Sequence, residues 1–241
     1  MTQKATKGRA KGKVPLNRAL SKLGALSRAQ ATDAILEGRV RVDGRVVRSP
    51  ATLVTPESAR IEVDRRVIEP SSWRTILLHK PRGVITTRTD PEGRPTVYDV
   101  LGAAATRLIA VGRLDFASSG LLLLTSDTQL ANWLTDPANA IPRLYAVTVR
   151  GRAMPETVAR LGANVALRKA SGRESHLLVE LREGKNRQVR RMFAGSGHEV
   201  TTLKRVRFGT LELGSLAPGE HREITRKEIA NAFPGAPLRA I

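Results

Sequence analysis

The spacing of apolar positions changes several times along the chain, and each change predicts an element. Leu16, Leu20 and Leu23 fall at helical spacing, with Gly24 as a stop. Ser27-Arg28-Ala29-Gln30 has the Ser-x-x-Gln form of a capping box, so a second helix starts there, runs to about Glu37 and ends at Gly38. Val40-Arg41-Val42 and Arg45-Val46-Val47 then flank Asp43-Gly44, a two-residue hairpin signal. Residues 14–63 therefore read as a small unit of helix, helix and hairpin. Before it, residues 1–13 are polar and basic, with too little apolar surface to fold, and predict a disordered tail. After it, residues 64–74 are mixed polar with Pro70 and predict a linker.

From Thr75 the alternation of types continues over a longer stretch. Thr75 to His79 is a short apolar strand, and Lys80-Pro81-Arg82-Gly83 must turn. Asp90 to Pro95 is a loop by its Pro and Gly content, and a short helix is expected over Thr96 to Leu101. The run Leu121 to Leu124, bounded by Gly120 and by Ser126-Asp127, predicts a buried strand. Leu130, Trp133 and Leu134 give Asp127 to Thr135 an amphipathic helical pattern. Leu144 to Val149 and His176 to Leu181 predict strands, and Pro155 to Leu161 a helix stopped by Gly162. Asn186 is placed to cap a helix to about Phe193, with a strand over Glu199 to Phe208. Thr225-Arg226-Lys227-Glu228 opens a last short helix before Pro234. The expected fold class is α+β: the small unit, then a mixed, mainly antiparallel sheet domain flanked by helices over residues 75–234, and a tail over 235–241.

Composition narrows what such a fold serves. Of the 241 residues 41% are hydrophobic, enough for a core, yet the formal net charge is +19. An excess of that size calls for a polyanionic partner, with nucleic acid the first candidate and a membrane surface the competitor. No apolar run approaches eighteen residues and none follows the basic N-terminus, so neither a membrane span nor a signal peptide is expected. The absence of cysteine excludes disulfides, thiolate metal sites and thiol nucleophiles, and fits a cytoplasmic protein. The four histidines have no ligand spacing, so no zinc site is expected. Arg28, Arg39, Arg41, Arg45 and Arg48 decorate the small unit, either as a solvated face or as a phosphate-binding surface, and the overall charge favours the second.

The candidate chemistry gathers in three places. In VGRLDFASSGLLLLT the chain turns at Gly112 and sets Arg113 and Asp115 two apart ahead of the buried strand; Asp115 reads as a turn or capping residue or as a reactive carboxylate. Arg187, Arg190 and Arg191 crowd the start of a predicted helix, where the dipole disfavours each cation by some tenths of a kcal/mol, so anionic partners are expected. Arg187 and Arg191 are expected to face RNA, and Arg190 a carboxylate inside the protein, with Asp115 as the choice. Tyr145 is one of only eight aromatic residues and begins a strand beside Arg143; it suits a site where one flipped base lies against a ring, or equally a core position.

Residues 15–60, above all LSKLGALSRAQATDAILEGRVRVDGRVV, resemble the S-four-type RNA-binding domain, which implies that Arg28, Arg39 and Arg41 grip structured RNA. Four ordered blocks, LHKPRGVITTRTDPEGRPTVYDVL, VGRLDFASSGLLLLTSD, RLYAVTVRG and EGKNRQVRRMF with its sequel HEVTTLKRVRFG, resemble the RNA pseudouridine synthases of the ribosomal-RNA-modifying branch. That resemblance implies Asp115 as the catalytic nucleophile, Tyr145 packed on the target base and Arg190 paired with the Asp. It implies Leu203 lining the uracil pocket, and Lys80, Pro81 and Arg113 shaping the site. Ala117 and Ser118 depart from the Asn and Thr more frequent in this branch, which bears on the hydrogen bonding of the loop. The implied reaction detaches a uracil from its ribose, rotates it and rejoins it through a ring carbon, with no cofactor or metal. The implied partner is ribosomal RNA, of the large subunit by the match of the Asp90 to Thr96 loop, and a monomer is expected. Two other classes compete: a non-catalytic assembly protein, which would lack the constellation of Asp115, Tyr145 and Arg190, and a metal-dependent nuclease, which would need carboxylates clustered around Asp115.

Overall fold

A computed structural model of the chain describes residues 12–56, 58–69, 72–162 and 164–238. It divides into two compact units, residues 1–72 and 73–241.

In the first unit β1 (Val14–Pro15) leads into α1 (Leu16–Lys22), which buries Leu16, Ala19 and Leu20 at the expected spacing. The predicted capping box of α2 (Arg28–Leu36) is complete: Ser27 Oγ accepts from the Gln30 amide at 3.2 Å, and the Ser27 amide donates to Gln30 Oε1 at 3.0 Å. β2 (Val40–Val42) and β3 (Arg45–Val46) join through Asp43 and Gly44, both at positive φ as a two-residue hairpin turn requires. β4 (Leu53–Val54) pairs with β1.

The linker expected over 64–74 is corrected at its start. β5 (Ile61–Val63) pairs with β2 on one side and with β6 (Arg66–Val67) on the other, so residues 64–67 complete a second hairpin. Its turn is Asp64-Arg65, both at positive φ but without the glycine that advertises such a turn, and its strands are too short to show a period. The tail expected over 1–13 lies, up to residue 11, outside the described residues, as do residues 239–241 of the C-terminal one.

The second unit is built on a nine-stranded sheet. β7 (Thr75–Lys80) is followed by α3 (Val97–Leu101), β8 (Ile109–Ala110), β9 (Ser119–Thr125), α4 (Thr128–Thr135) and β10 (Arg143–Arg150). Then come α5 (Pro155–Leu161), β11 (Val165–Ala170), β12 (Glu174–Leu181), α6 (Gln188–Ala194), β13 (Val200–Phe208), β14 (Leu211–Glu212), β15 (His221–Glu223) and α7 (Arg226–Ala232). The strand order is β11-β12-β10-β13-β9-β7-β15, with β14 on β13 and β8 on β9. All these pairs are antiparallel except β13 with β9, which is parallel. β9 is apolar from Leu121 to Leu124 because both its faces are covered: Leu121 and Leu123 join a core with α4, α7 and Phe208, and Leu122 and Leu124 a second with α3 and Leu78. A third core under β10, β12 and β13 holds Val147, Val179 and Phe193.

The start of α6 differs from expectation. Arg187, not Asn186, occupies its cap position, at φ 48° and with no side-chain cap; the turn before it is closed by the Gln188 amide on the Lys185 carbonyl. The backbone meets the need that an Asn cap would have served.

Candidate active site

The Asp115 loop lies between β8 and β9, and the turn after β7 packs behind it. Lys80, fully buried, donates from Nζ to the carbonyls of Pro81 (2.9 Å), Asp115 (3.2 Å) and Ser118 (2.8 Å). Thr86 Oγ1 donates to the Leu114 carbonyl at 3.0 Å, and the Gly83 amide to that of Phe116 at 2.8 Å. Burial pulls the Lys80 ammonium down to about 8, opposed by the charge of Asp115. All three of its donors are turned onto backbone carbonyls, so Lys80 shapes the site by holding the loop from behind and not by presenting its ammonium to the cleft. Block one of the sequence is thus the support of block two.

In front of the loop is a cleft of about 490 Å³, lined by Asp115, Arg113, Tyr145, Leu203, Arg187, Arg143 and Arg205 among others. That volume suits one nucleotide-sized ligand. Asp115 is half-buried, and its carboxylate has no hydrogen-bond or ion-pair partner among the described residues. Tyr145 is half-buried, opposite Arg205 on β13 and Val179 on β12, and packs against two of the cores, while Leu203 is buried opposite Val147. Arg113 and Arg187 are exposed at the cleft, and Arg191 is exposed as expected.

Arg190 is half-buried and turned inward, but the expected fork with Asp115 does not form. Its Nη1 donates to the Val200 carbonyl at 2.9 Å and its Nη2 to that of Ala117 at 3.0 Å, while Nε is buried with no acceptor. The carbonyls take the donors a fork would use, so Arg190 fixes the loop that carries Asp115 and leaves the carboxylate free. Burial and then Arg187 lower the Arg190 guanidinium from its ordinary range, and Asp115 opposes them.

In the first unit Arg28 and Arg41 are exposed, Arg41 with a long bond of 3.4 Å to the Gly44 carbonyl. Arg39 is exposed but engaged, with Glu37 at 2.6 Å and Asp64 at 3.0 Å, and these bonds raise its pKa. It is a less open cation than expected, because the second hairpin brings Asp64 beside it.

Two further cleft residues lie within the motif blocks but receive no role in the site there. Arg143 and Arg205 are 8% and 4% exposed and lie 5.0 and 5.2 Å from the centre of the Phe208 ring. The signal was the strand period: Arg143 stands two before Tyr145, and Arg205 two after Leu203. A carboxylate without internal partner, beside a ring and an apolar wall, is equipped for nucleophilic or proton-transfer work on a nucleotide base drawn into the cleft.

Comparisons with known proteins give the family. Residues 74–195 match the family model for RNA pseudouridylate synthase, and residues 14–59 that for the S4 domain. An uncharacterized RNA pseudouridine synthase of Aquifex aeolicus is 35% identical over 95% of this chain and 97% of its own. Ribosomal large subunit pseudouridine synthase B of Bacillus subtilis is 37% identical over 89% of this chain and 93% of its own. A crystal structure of a pseudouridylate synthase, 28% identical, superposes with a TM-score of 0.63 over 91% of this chain and 99% of that one. With matches of this extent, covering a cleft built around a free carboxylate, the chain belongs to the RNA pseudouridine synthases and is an isomerase that carries an S4 domain at its N-terminal end.

Proposed function

We propose that this enzyme converts a specific uridine of large-subunit ribosomal RNA into pseudouridine, with Asp115 as the carboxylate that acts on the flipped nucleotide. The observation that carries this reading is the state of Asp115: its backbone is clamped through Lys80 and its loop through Arg190, while its carboxylate is left without an internal partner in the cleft. Tyr145 and Leu203 flank the space a uracil would fill. The choice of ribosomal RNA rests on relatives such as the Bacillus subtilis protein, whose name places its action on the large subunit. Among the described residues no helix is long and apolar enough to cross a membrane, which accords with a cytoplasmic site of action. The protein is proposed to act as a monomer without cofactor.

Asp115→Asn tests the reading, because it keeps the side chain's size and removes its charge and nucleophilicity. Pseudouridine mapping on total ribosomal RNA, with the wild type and the variant, should show a new site for the first only. Affinity for the same RNA should persist, since most of it comes from phosphate contacts. Full activity of a folded Asp115→Asn protein would remove this residue from the mechanism. A wild type inactive on every ribosomal RNA, yet binding it, would favour the assembly-protein reading.

A further inference from the structure

Arg205 sits directly across from Tyr145 in the register of β10 and β13 and two residues beyond Leu203, so its side chain shares the cleft-facing side of the sheet with both. Its Nε donates to the Leu121 carbonyl at 2.7 Å, and Phe208 lies beside the guanidinium. These contacts hold the group and still leave Nη2 buried with no acceptor. Arg143, on the same face, is spent on the carbonyls of Ile141 (2.9 Å) and Leu134 (3.2 Å). No carboxylate pairs with either arginine among the described residues, and burial together with the nearness of Arg205 lowers the Arg143 guanidinium from its ordinary range. Two buried cations therefore share the cleft with no carboxylate in ion-pair contact with either among the described residues, and one keeps an unused donor. Buried donors in native proteins are nearly always satisfied, so an orphan at a ligand site points to the ligand.

We infer that Arg205 is a further catalytic residue, whose Nη2 receives the negative charge that the uracil carries once its bond to the ribose is broken. The inference rests on the proposed function and deepens it. Breaking the bond between C1′ and N1, with both electrons leaving on N1, turns the uracil into an anion whose charge spreads onto its carbonyl oxygens. The ribose is kept neutral in one of two ways. Either an Asp115 carboxylate oxygen bonds to C1′, or the carboxylate takes the C2′ proton and a double bond forms between C1′ and C2′. In both courses Asp115 loses its negative charge and the uracil gains it. The charge thus moves from the Asp115 loop towards β13, where Arg205 is already fixed. On rejoining, an electron pair at C5 forms the new bond to C1′. The Asp115 carboxylate is released, or returns its proton to C2′, and the C5 proton is exchanged for one on N1. A donor fixed in advance where charge develops contributes to the rate and not to ground-state binding.

The test compares Arg205→Gln, Arg205→Lys and wild type in single turnovers on a ribosomal RNA fragment that carries uridine or 5-fluorouridine at the target position, followed as loss of the starting nucleotide. Fluorine makes the detached ring hold negative charge more easily. Arg205→Gln should slow turnover of uridine by about 10²- to 10³-fold, as removal of an oxyanion donor does, with RNA affinity unchanged. On 5-fluorouridine its loss should shrink by roughly tenfold, a selectivity that a loss of packing would not produce. Arg205→Lys keeps the charge and should fall between; if the Gln variant does not fold, the Lys variant carries the same comparison. A folded variant that loses nothing, or loses equally on both nucleotides, overturns the role of Arg205 alone. A wild type inactive on ribosomal RNA overturns the proposed function, and this role with it.

Discussion

Lys80 shows how the surroundings of a residue legible as part of a motif decide what it does there. Its place in the first block marks it for the site, yet Nζ spends its donors on three backbone carbonyls, two of them in the Asp115 loop. Lys80→Met would remove a costly buried charge and also orphan those carbonyls, and the second effect should win, lowering stability on the order of 3 kcal/mol. Turnover should fall further than RNA affinity, because the displaced group is the Asp115 backbone; denaturant melts beside single-turnover rates measure both. The titration has its own sign. The folded-state value of about 8 lies below the ordinary 10.5, so the folded protein holds this proton less well than the unfolded chain. The penalty is present in full below pH 8 and is relieved as pH rises from about 8 towards 10.5. Stability measured across that window should therefore gain less with pH in Lys80→Met than in the wild type. A steeper gain in the variant would contradict the assignment.

Among the elements, β9 and β13 decide the site. Their parallel contact, Ser119 with Lys204 and Gly120 with Arg205, joins the part of the sheet that carries Asp115 to the part that carries Tyr145 and Leu203. Gly120 makes it possible: its φ is 108°, and a Cβ there would lie 2.2 Å from the Arg205 carbonyl oxygen. Gly120→Ala should thus force the two strands apart, destabilise the unit by roughly 3 kcal/mol or more and abolish turnover. Thermal unfolding is the direct measure, and a variant with wild-type melting would mean that the strands separate at little cost. In α6 Val189 and Phe193 are buried, with Met192 half-buried against the same core, and the expected crowding of arginines is resolved by the backbone. Arg187 sits outside the helix proper, and Arg190 bonds carbonyls of the Asp115 loop and of β13.

For the molecule as a whole, the chain carries a net charge of +19 and divides at residue 72, with the S4 match in the first unit and the pseudouridylate synthase match in the second. Because β6 belongs to the first unit, removal of residues 1–72 should leave residues 73–241 folded, with their three cores untouched. RNA affinity should fall, and the salt dependence of binding should lose roughly 0.7 to 0.9 log units per log unit of salt for each phosphate contact removed. Arg28 and Arg41 are the candidates for those contacts, whereas Arg39 is engaged by Glu37 and Asp64. A truncated protein with the full-length salt slope would take the first unit out of RNA binding.

What the sequence determined by itself is local or periodic. The capping boxes at Ser27 and Thr225, the Asp43-Gly44 turn and the apolar block of β9 were legible because the signal and its physical cause lie within a few residues of each other. The second hairpin was not, since its strands are too short to carry a period and its turn lacks glycine. Only the tertiary structure could decide which atoms meet. Asp115 and Arg190 stand 75 residues apart in the chain, and whether the guanidinium reaches a carboxylate or two carbonyls depends on a few ångströms of packing that no residue pattern encodes. The buried arginines at 143 and 205 make the same point. A strand period places them on the cleft face, but that one of them keeps a donor without acceptor follows from the closure of β13 against β9 and β10.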